Sequence, residues 1–146
     1  MSAKPKILVL NGPNLDRLDL RDTAIYGSMD FAHLSAFISS EAGSLGLDVE
    51  VRQSNSEVEI IQWLHQAVDG ENPVIFNPAA FTHYSYAIRD AAAMLKAPLI
   101  EVHLSNPLAR EEFRHTSVIS GIAHGTIAGF GPDSYRLGLI AMKELI

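Results

Sequence analysis

A chain of 146 residues with 47% hydrophobic and 19% charged side chains has the bulk for one sizeable core, and residues 1–146 are read as a single domain. The formal net charge of −6 excludes general attraction to nucleic acid or an anionic membrane, so an anionic ligand would need a local basic cluster. The absence of cysteine excludes disulfides, thiolate nucleophiles and zinc–thiolate sites, and without a long apolar stretch no signal peptide or membrane span is expected, which makes the cytoplasm the expected location.

In chain order, Ile7 to Leu10 is a short branched run suited to a strand buried on both faces of a parallel sheet. The stretch from Asn11 to Gly27 is too long for a simple strand-to-helix connection and carries Asn11, Asn14, Arg17, Arg21 and Tyr26, all able to contact a polar ligand; it reads as a lid. Ser28 then predicts an N-cap for a helix with Phe31, Leu34, Phe37, Ile38, Ala42 and Leu45 on one face and Gly46 as its stop. Leu47, Val49 and Val51 alternate with Asp48, Glu50 and Arg52, the pattern of an edge strand. Ser56 to Glu59 has capping-box form and opens a helix through Ile60, Ile61, Leu64, Ala67 and Val68 to Gly70.

Pro73 to Asn77 is the third strand, and Tyr86, Ala87, Asp90, Ala91 and Leu95 predict a helix ending before Ala97-Pro98. Pro98 to His103 is the fourth strand. An irregular charged segment, Ser105 to Ser120, precedes a fifth strand over Gly125 to Phe130 and a terminal helix from about Pro132 to Leu145.

Alternating strands and helices imply right-handed crossovers and a parallel sheet with helices on both faces. The expected architecture is therefore α/β, a flavodoxin-like three-layer sandwich whose five-stranded parallel sheet has the order 2-1-3-4-5. That order sets strands one, three and four side by side. Their carboxyl ends carry Asn11-Gly-Pro-Asn14, Asn77 to His83, and Glu101 to Asn106, and ligands bind at such a crevice in open α/β sheets.

Glu101 and His103, two apart on a strand, project from one face, and a carboxylate beside an imidazole fixes its tautomer and favours its protonated form, as a general acid requires. An edge-strand ion pair is the bland explanation, but strand four should be interior, where such a pair is costly. Tyr26 is a poor base at its reference pKa of about 10, and a guanidinium such as Arg21 would favour the phenolate; a plug between lid and body is equally compatible with the spacing. Asn14 and Asn77 sit beside turn residues, where turn chemistry is the ordinary explanation, and their shared crevice raises the functional one. Arg110 and Arg114 could clamp a carboxylate, although surface charge is commoner. His115 is ambiguous, and His33, His65 and His124 fit ordinary roles. No H-E-x-x-H, G-x-G-x-x-G or Walker pattern is present, so metal, dinucleotide and nucleoside-triphosphate sites have no support, and no cofactor is expected.

These residues resemble the type II 3-dehydroquinases, the 3-dehydroquinate dehydratases of the shikimate and quinate pathways. Asn11-Gly-Pro-Asn-Leu15, Arg21, Ile25-Tyr-Gly27, Gln53-Ser-Asn55, Asn77-Pro78, Thr82-His83, Arg89-Asp90, Glu101-Val-His103, Ser105-Asn106, Ala109-Arg-Glu111, Phe113-Arg-His115 and Tyr135-Arg136 stand in the family's order and spacing from about residue 6 to the end. The resemblance implies a flavodoxin-like fold assembled as a homo-oligomeric dodecamer of trimers, and anti elimination of water from 3-dehydroquinate through an enolate. It further implies that Tyr26 takes the C2 proton with Arg21 lowering its pKa, that Asn14 holds the water supporting the enolate, and that His103, oriented by Glu101, protonates the departing C1 hydroxyl. Asn77, His83, Arg114 and the backbone at Leu104 and Ser105 would bind substrate hydroxyls and carboxylate, with Arg110 alongside them, and Asp90 would come from a neighbouring subunit.

The lid departs from the family pattern at Asp16, Arg17, Asp19 and Leu20, and Ser56 and Val58 stand where His and Gly are common. Replacing a glycine with Asp19 is expected to restrict lid conformations and so to affect turnover and affinity rather than reaction class. A flavodoxin-like binding module, with or without flavin, is the competing expectation from another class. The other chemical route to the same product, an imine on a lysine, finds no candidate in a motif loop: Lys4 and Lys6 lie at the far end of strand one, Lys96 precedes Ala97-Pro98, and Lys143 is in the last helix.

Overall fold

Ile7, Leu8, Val9 and Leu10 are apolar on both sides because strand β1 (Ile7–Asn11) lies inside the sheet and is buried on both faces. The computed structural model describes residues 4–26 and 29–146, with Tyr26 described at its backbone only. Strands β2 (Val49–Gln53), β3 (Val74–Asn77), β4 (Leu99–His103) and β5 (Gly125–Ala128) complete a sheet of order β2-β1-β3-β4-β5 in which every pairing is parallel. The order 2-1-3-4-5 is the expected one. β2 is an edge strand and only half-buried, which explains its alternating polar residues.

Beyond a single turn, α1 (Thr23–Tyr26), the helices are α2 (Phe31–Ser44), α3 (Glu57–Gly70), α4 (Tyr86–Ala93) and α5 (Asp133–Leu145). Leu34, Ile38 and Ala42 of α2, with Tyr135, Leu139 and Met142 of α5, pack on Ile7, Val9, Ile75, Ile100 and Val102. Ile60, Leu64 and Ala67 of α3, with Ile88, Ala91 and Ala92 of α4, pack on Leu8, Leu10, Val74, Phe76 and Leu99. Odd and even strand positions thus face opposite helical layers, and each fully buried Leu or Ile contributes about 1.5–3 kcal/mol.

Three local expectations change. The N-cap of α2 is Asp30, whose Oδ1 accepts the His33 backbone N–H at 2.8 Å; the expected cap, Ser28, lies outside the described residues. The capping box of α3 is half formed: Ser56 Oγ accepts from Glu59 N–H at 3.2 Å, while the Ser56 N–H goes to Ser54 Oγ at 2.9 Å rather than back to Glu59. In α4 the inward face is Ile88, Ala91 and Ala92, and Tyr86 is exposed, because Ser85 caps the helix at Ile88 N–H and thereby sets its rotation.

Between β4 and β5 the charged segment folds into three short 3-10 turns, Pro107–Ala109, Glu112–His115 and Ser120–Ile122. In the lid, Leu15–Leu20 forms two 3-10 turns kinked at Arg17, anchored by buried Leu15 and Leu18. Asp19 pairs with Arg17, its Oδ1 accepting from Nε at 3.0 Å, and is not among the positive-φ residues of the described chain. The residue in the family's glycine position thus needs no left-handed backbone here.

Candidate active site

Asn11 and Asn77 are register partners at the carboxyl ends of β1 and β3, and the two loops leaving these strands are packed back to back. Gly12 N–H donates to Asn77 O at 2.8 Å, and a Cβ on Gly12 would sit 2.3 Å from Pro78 O, so no other residue fits this approach. Asn14 (φ 70°) and Ala79 (φ 52°) both hold left-handed backbone beside this contact. Such conformations persist where surrounding structure determines them, and they gather at binding sites. Asn14 N–H is tied to Asn55 Oδ1 at 2.9 Å, and Ala79 N–H to Asn77 Oδ1 at 3.1 Å.

On β4, Glu101 and His103 share a face as expected, and His103 Nε2 lies 2.6 Å from Glu101 Oε2. Glu101 is fully buried, so an isolated carboxylate there would be protonated. Three hydroxyls prevent that. Thr82 donates to Oε2, Ser120 donates to Oε1 at 2.5 Å, and Ser117 lies 3.1 Å from both oxygens. Ser117 Oγ also accepts the N–H groups of Ile119 and Ser120 at 3.1 and 3.0 Å, which turns its own proton toward the carboxylate. Burial pushes the Glu101 pKa up, but the hydrogen bonds and charge of His103 and the bonds from Ser120 and Thr82 outweigh it and hold the carboxyl below its ordinary range. A carboxylate with its acceptor sites so filled is a fixed negative charge. It holds His103, a residue of the cleft wall, through Nε2.

The cleft, about 100 Å³ in volume, lies where the crevice was expected, over the carboxyl ends of β1, β3 and β4. Its walls include Asn14, Arg21, Asn77, Ala79, His83, His103, Leu104, Ser105, Arg110 and Arg114, with no carboxylate among them. Three guanidinium groups therefore make a cationic pocket in a protein of net charge −6. Arg114 is oriented by Glu111 Oε2 at 3.1 Å and by the Phe113 ring, with its guanidinium carbon 4.6 Å from the centroid. Arg110 Nη1 donates to Ser105 Oγ at 3.2 Å. His83 Nδ1 donates to Thr116 O at 2.8 Å, so its tautomer presents Nε2 elsewhere. Burial depresses the His83 pKa despite that bond, which keeps the ring neutral.

Of the residues singled out in the sequence, Asn14, Arg21, Asn77, His83, His103, Leu104, Ser105, Arg110 and Arg114 converge on this cleft, and Glu101 stands directly behind His103. Asp90 does not: it is exposed on α4 and its nearest ion pair is Arg89, at 3.9 Å. The Tyr26 backbone ends α1, and its side chain lies outside the described residues. Asn11, expected as a possible ligand contact, is fully buried and turned away from the cleft toward Tyr135. Thr82, Ser117, Ser120 and Tyr135 were not legible as site residues, because nothing in their local sequence signals a distant carboxylate or amide partner. None of the four lysines lines the cleft. Among the described residues, no cluster of His, Asp or Glu has the arrangement of a metal site.

A family model described as dehydroquinase class II matches residues 5–143. A 3-dehydroquinate dehydratase from Mycobacteroides abscessus is 56% identical over 133 residues, which is 91% of this chain and 92% of that protein. Among solved structures, type II dehydroquinase from Propionibacterium acnes superposes with a TM-score of 0.94 at 52% identity, covering 97% of each chain. The type II dehydroquinase from Butyrivibrio crossotus gives 0.91 at 42% identity, covering 94% of this chain and 97% of that one.

Proposed function

The chain belongs to the class II dehydroquinase family, and from that premise we propose that it dehydrates 3-dehydroquinate to 3-dehydroshikimate by anti elimination through an enolate. The observation that carries the reading is the convergence of an oriented His103, three arginines and two asparagines on one cleft at the ends of β1, β3 and β4.

In this reading the Tyr26 phenolate, favoured by Arg21, removes a proton from C2, next to the C3 ketone. The electrons pass to the ketone oxygen as an enolate, supported by a water held at Asn14 and by the field of Arg21. The enolate then collapses to form the C1=C2 bond and expels the C1 hydroxyl, which leaves as water with a proton from His103. Glu101 does not itself move a proton. Filled by three hydroxyl donors, it orients the imidazole. The substrate carboxylate and hydroxyls are held by Arg114, Arg110, His83, Asn77 and the backbone at Leu104 and Ser105, all lining the cleft. The left-handed turn at Asn14, whose backbone N–H is tied to Asn55, is held in place by the surrounding structure beside the cleft.

Acid, base and electrostatic groups are all side chains, so the proposal includes no metal or cofactor. It also includes a homo-oligomer, a dodecamer in the family's pattern, in which exposed Asp90 completes a neighbour's site, and a cytoplasmic location. The direct test is the ultraviolet absorbance of the conjugated enone when the protein meets 3-dehydroquinate. Turnover by the wild type and its loss in His103→Ala are expected. A coloured, flavin-bearing protein inert to 3-dehydroquinate would overturn the reading.

A further inference from the structure

The largest fully buried side chain of the domain, Tyr135, belongs to α5 and takes no part in the chemistry above, yet its hydroxyl is bonded to Asn77, a residue of the cleft wall. Five groups form one head-to-tail chain there. Ala79 N–H donates to Asn77 Oδ1 at 3.1 Å; Asn77 Nδ2 donates to the Tyr135 hydroxyl at 2.8 Å. The Tyr135 hydroxyl donates to Asn11 Oδ1 at 2.5 Å, and Asn11 Nδ2 donates to Arg52 O at 3.0 Å. Each donor points the same way along the chain, so each bond polarises the next. The phenol pKa is pushed far up by burial, so this group stays a hydroxyl and can both donate and accept.

The chain of bonds crosses β2, β1 and β3 at their carboxyl ends and finishes on the strained residue Ala79 in the cleft wall. Asn11 and Asn77 flank the Gly12–Pro78 contact, so fixing their amides fixes the turns that present Asn14 on one side and Ala79 and Ala80 on the other. Asn11 and Asn77 are 0% and 2% exposed, so no solvent can replace the hydroxyl if it is lost.

We propose that Tyr135 is a positioning residue of this active site: its hydroxyl clamps Asn11 to Asn77 and so sets where Asn14 and the Ala79 turn stand against the substrate. The proposal rests on the dehydratase reading for its kinetic arm and on geometry alone for its structural arm.

Tyr135→Phe, assayed as the full chain with 3-dehydroquinate, is expected to lower kcat about tenfold or more, since a small misplacement at a reacting centre has effects of this size. In an Asn14→Ala background the same change is expected to cost clearly less than in the wild type, because one of the two turns through which it acts no longer presents its amide. Leu139→Ala, a core change elsewhere on α5, serves as the stability control and should keep kcat near wild type. The structural arm is amide hydrogen exchange: Ala79 should exchange about tenfold faster in Tyr135→Phe, with the amides of β4 unchanged.

Wild-type kcat and unchanged Ala79 exchange in Tyr135→Phe would overturn the proposal. So would full additivity with Asn14→Ala, or an equal kcat loss in Leu139→Ala. Should Tyr135→Phe fail to fold, Asn11→Ser breaks the same clamp from its other end and must show the same kcat and exchange changes. A wild-type protein that does not turn over 3-dehydroquinate refutes the dehydratase reading, and the exchange arm then decides the fate of the clamp.

Discussion

Replacing Thr82 with Val removes one hydroxyl from the Glu101 carboxylate and keeps the shape of the side chain. Thr82 is 1% exposed and Glu101 0%, so bulk solvent does not take the lost donor's place. A hydrogen bond to a buried charged group is worth about 1.5–3 kcal/mol, and Thr82→Val should cost about that much stability at neutral pH. The same loss raises the Glu101 pKa, because a donor that favours the ionised form is gone. Glu101 is held below its ordinary pKa, so its contribution is fully present above the ordinary carboxylate range and is lost as pH falls through the lowered value. The variant loses that contribution at a higher pH. The gap in stability between the two proteins should therefore be full at pH 7 and narrow steadily as pH falls below the ordinary carboxylate range. Urea unfolding of both proteins at one fixed protein concentration, from pH 7 down to the acid limit of solubility, measures it. A gap that is absent at pH 7, or that does not change with pH, would refute the argument that these hydroxyls keep Glu101 ionised.

Tyr26→Phe should lower kcat by about 10²- to 10⁴-fold with fold and ligand binding retained; near-wild-type turnover would remove Tyr26 as the base. Arg21→Ala should reduce kcat more than it raises KM, because its charge is proposed to act on the phenolate and the developing enolate, and a change confined to KM would make Arg21 a binding residue. Light scattering should report a large assembly, and Asp90→Ala should lower activity although Asp90 is remote from the cleft of its own chain; a fully active monomer contradicts both. Borohydride added during turnover should neither inactivate the protein nor attach substrate to Lys4, Lys6, Lys96 or Lys143, as mass spectrometry will show.

The strand order was legible because each strand announces its place: Ile7 to Leu10 is apolar on both sides, and Val49 to Gln53 alternates. The Glu101–His103 pair was legible because strand geometry alone puts residues two apart on one face. What surrounds that pair was not. Ser117 and Ser120 reach Glu101 only because the 3-10 segments fold back over β4, and the Tyr135–Asn11 bond joins residues 124 apart. Short-range pattern carries no information about such partners. The cap of α2 was misplaced for a simpler reason: Ser28 and Asp30 are both good caps, and only the register of the helix decides for Asp30.

The proposed mechanism sets the acid, His103 on β4, and the base, Tyr26 on the lid, on opposite sides of the substrate, and that arrangement is the core of the account. 3-Dehydroquinate carrying deuterium at C2 only in the position anti to the C1 hydroxyl tests it most directly, with mass spectrometry of the 3-dehydroshikimate formed. The account predicts a product without deuterium, the label having passed through Tyr26 to solvent. Deuterium kept in the product, with the other C2 hydrogen lost, would mean that proton and hydroxyl leave from the same face, and would contradict the roles given to both residues.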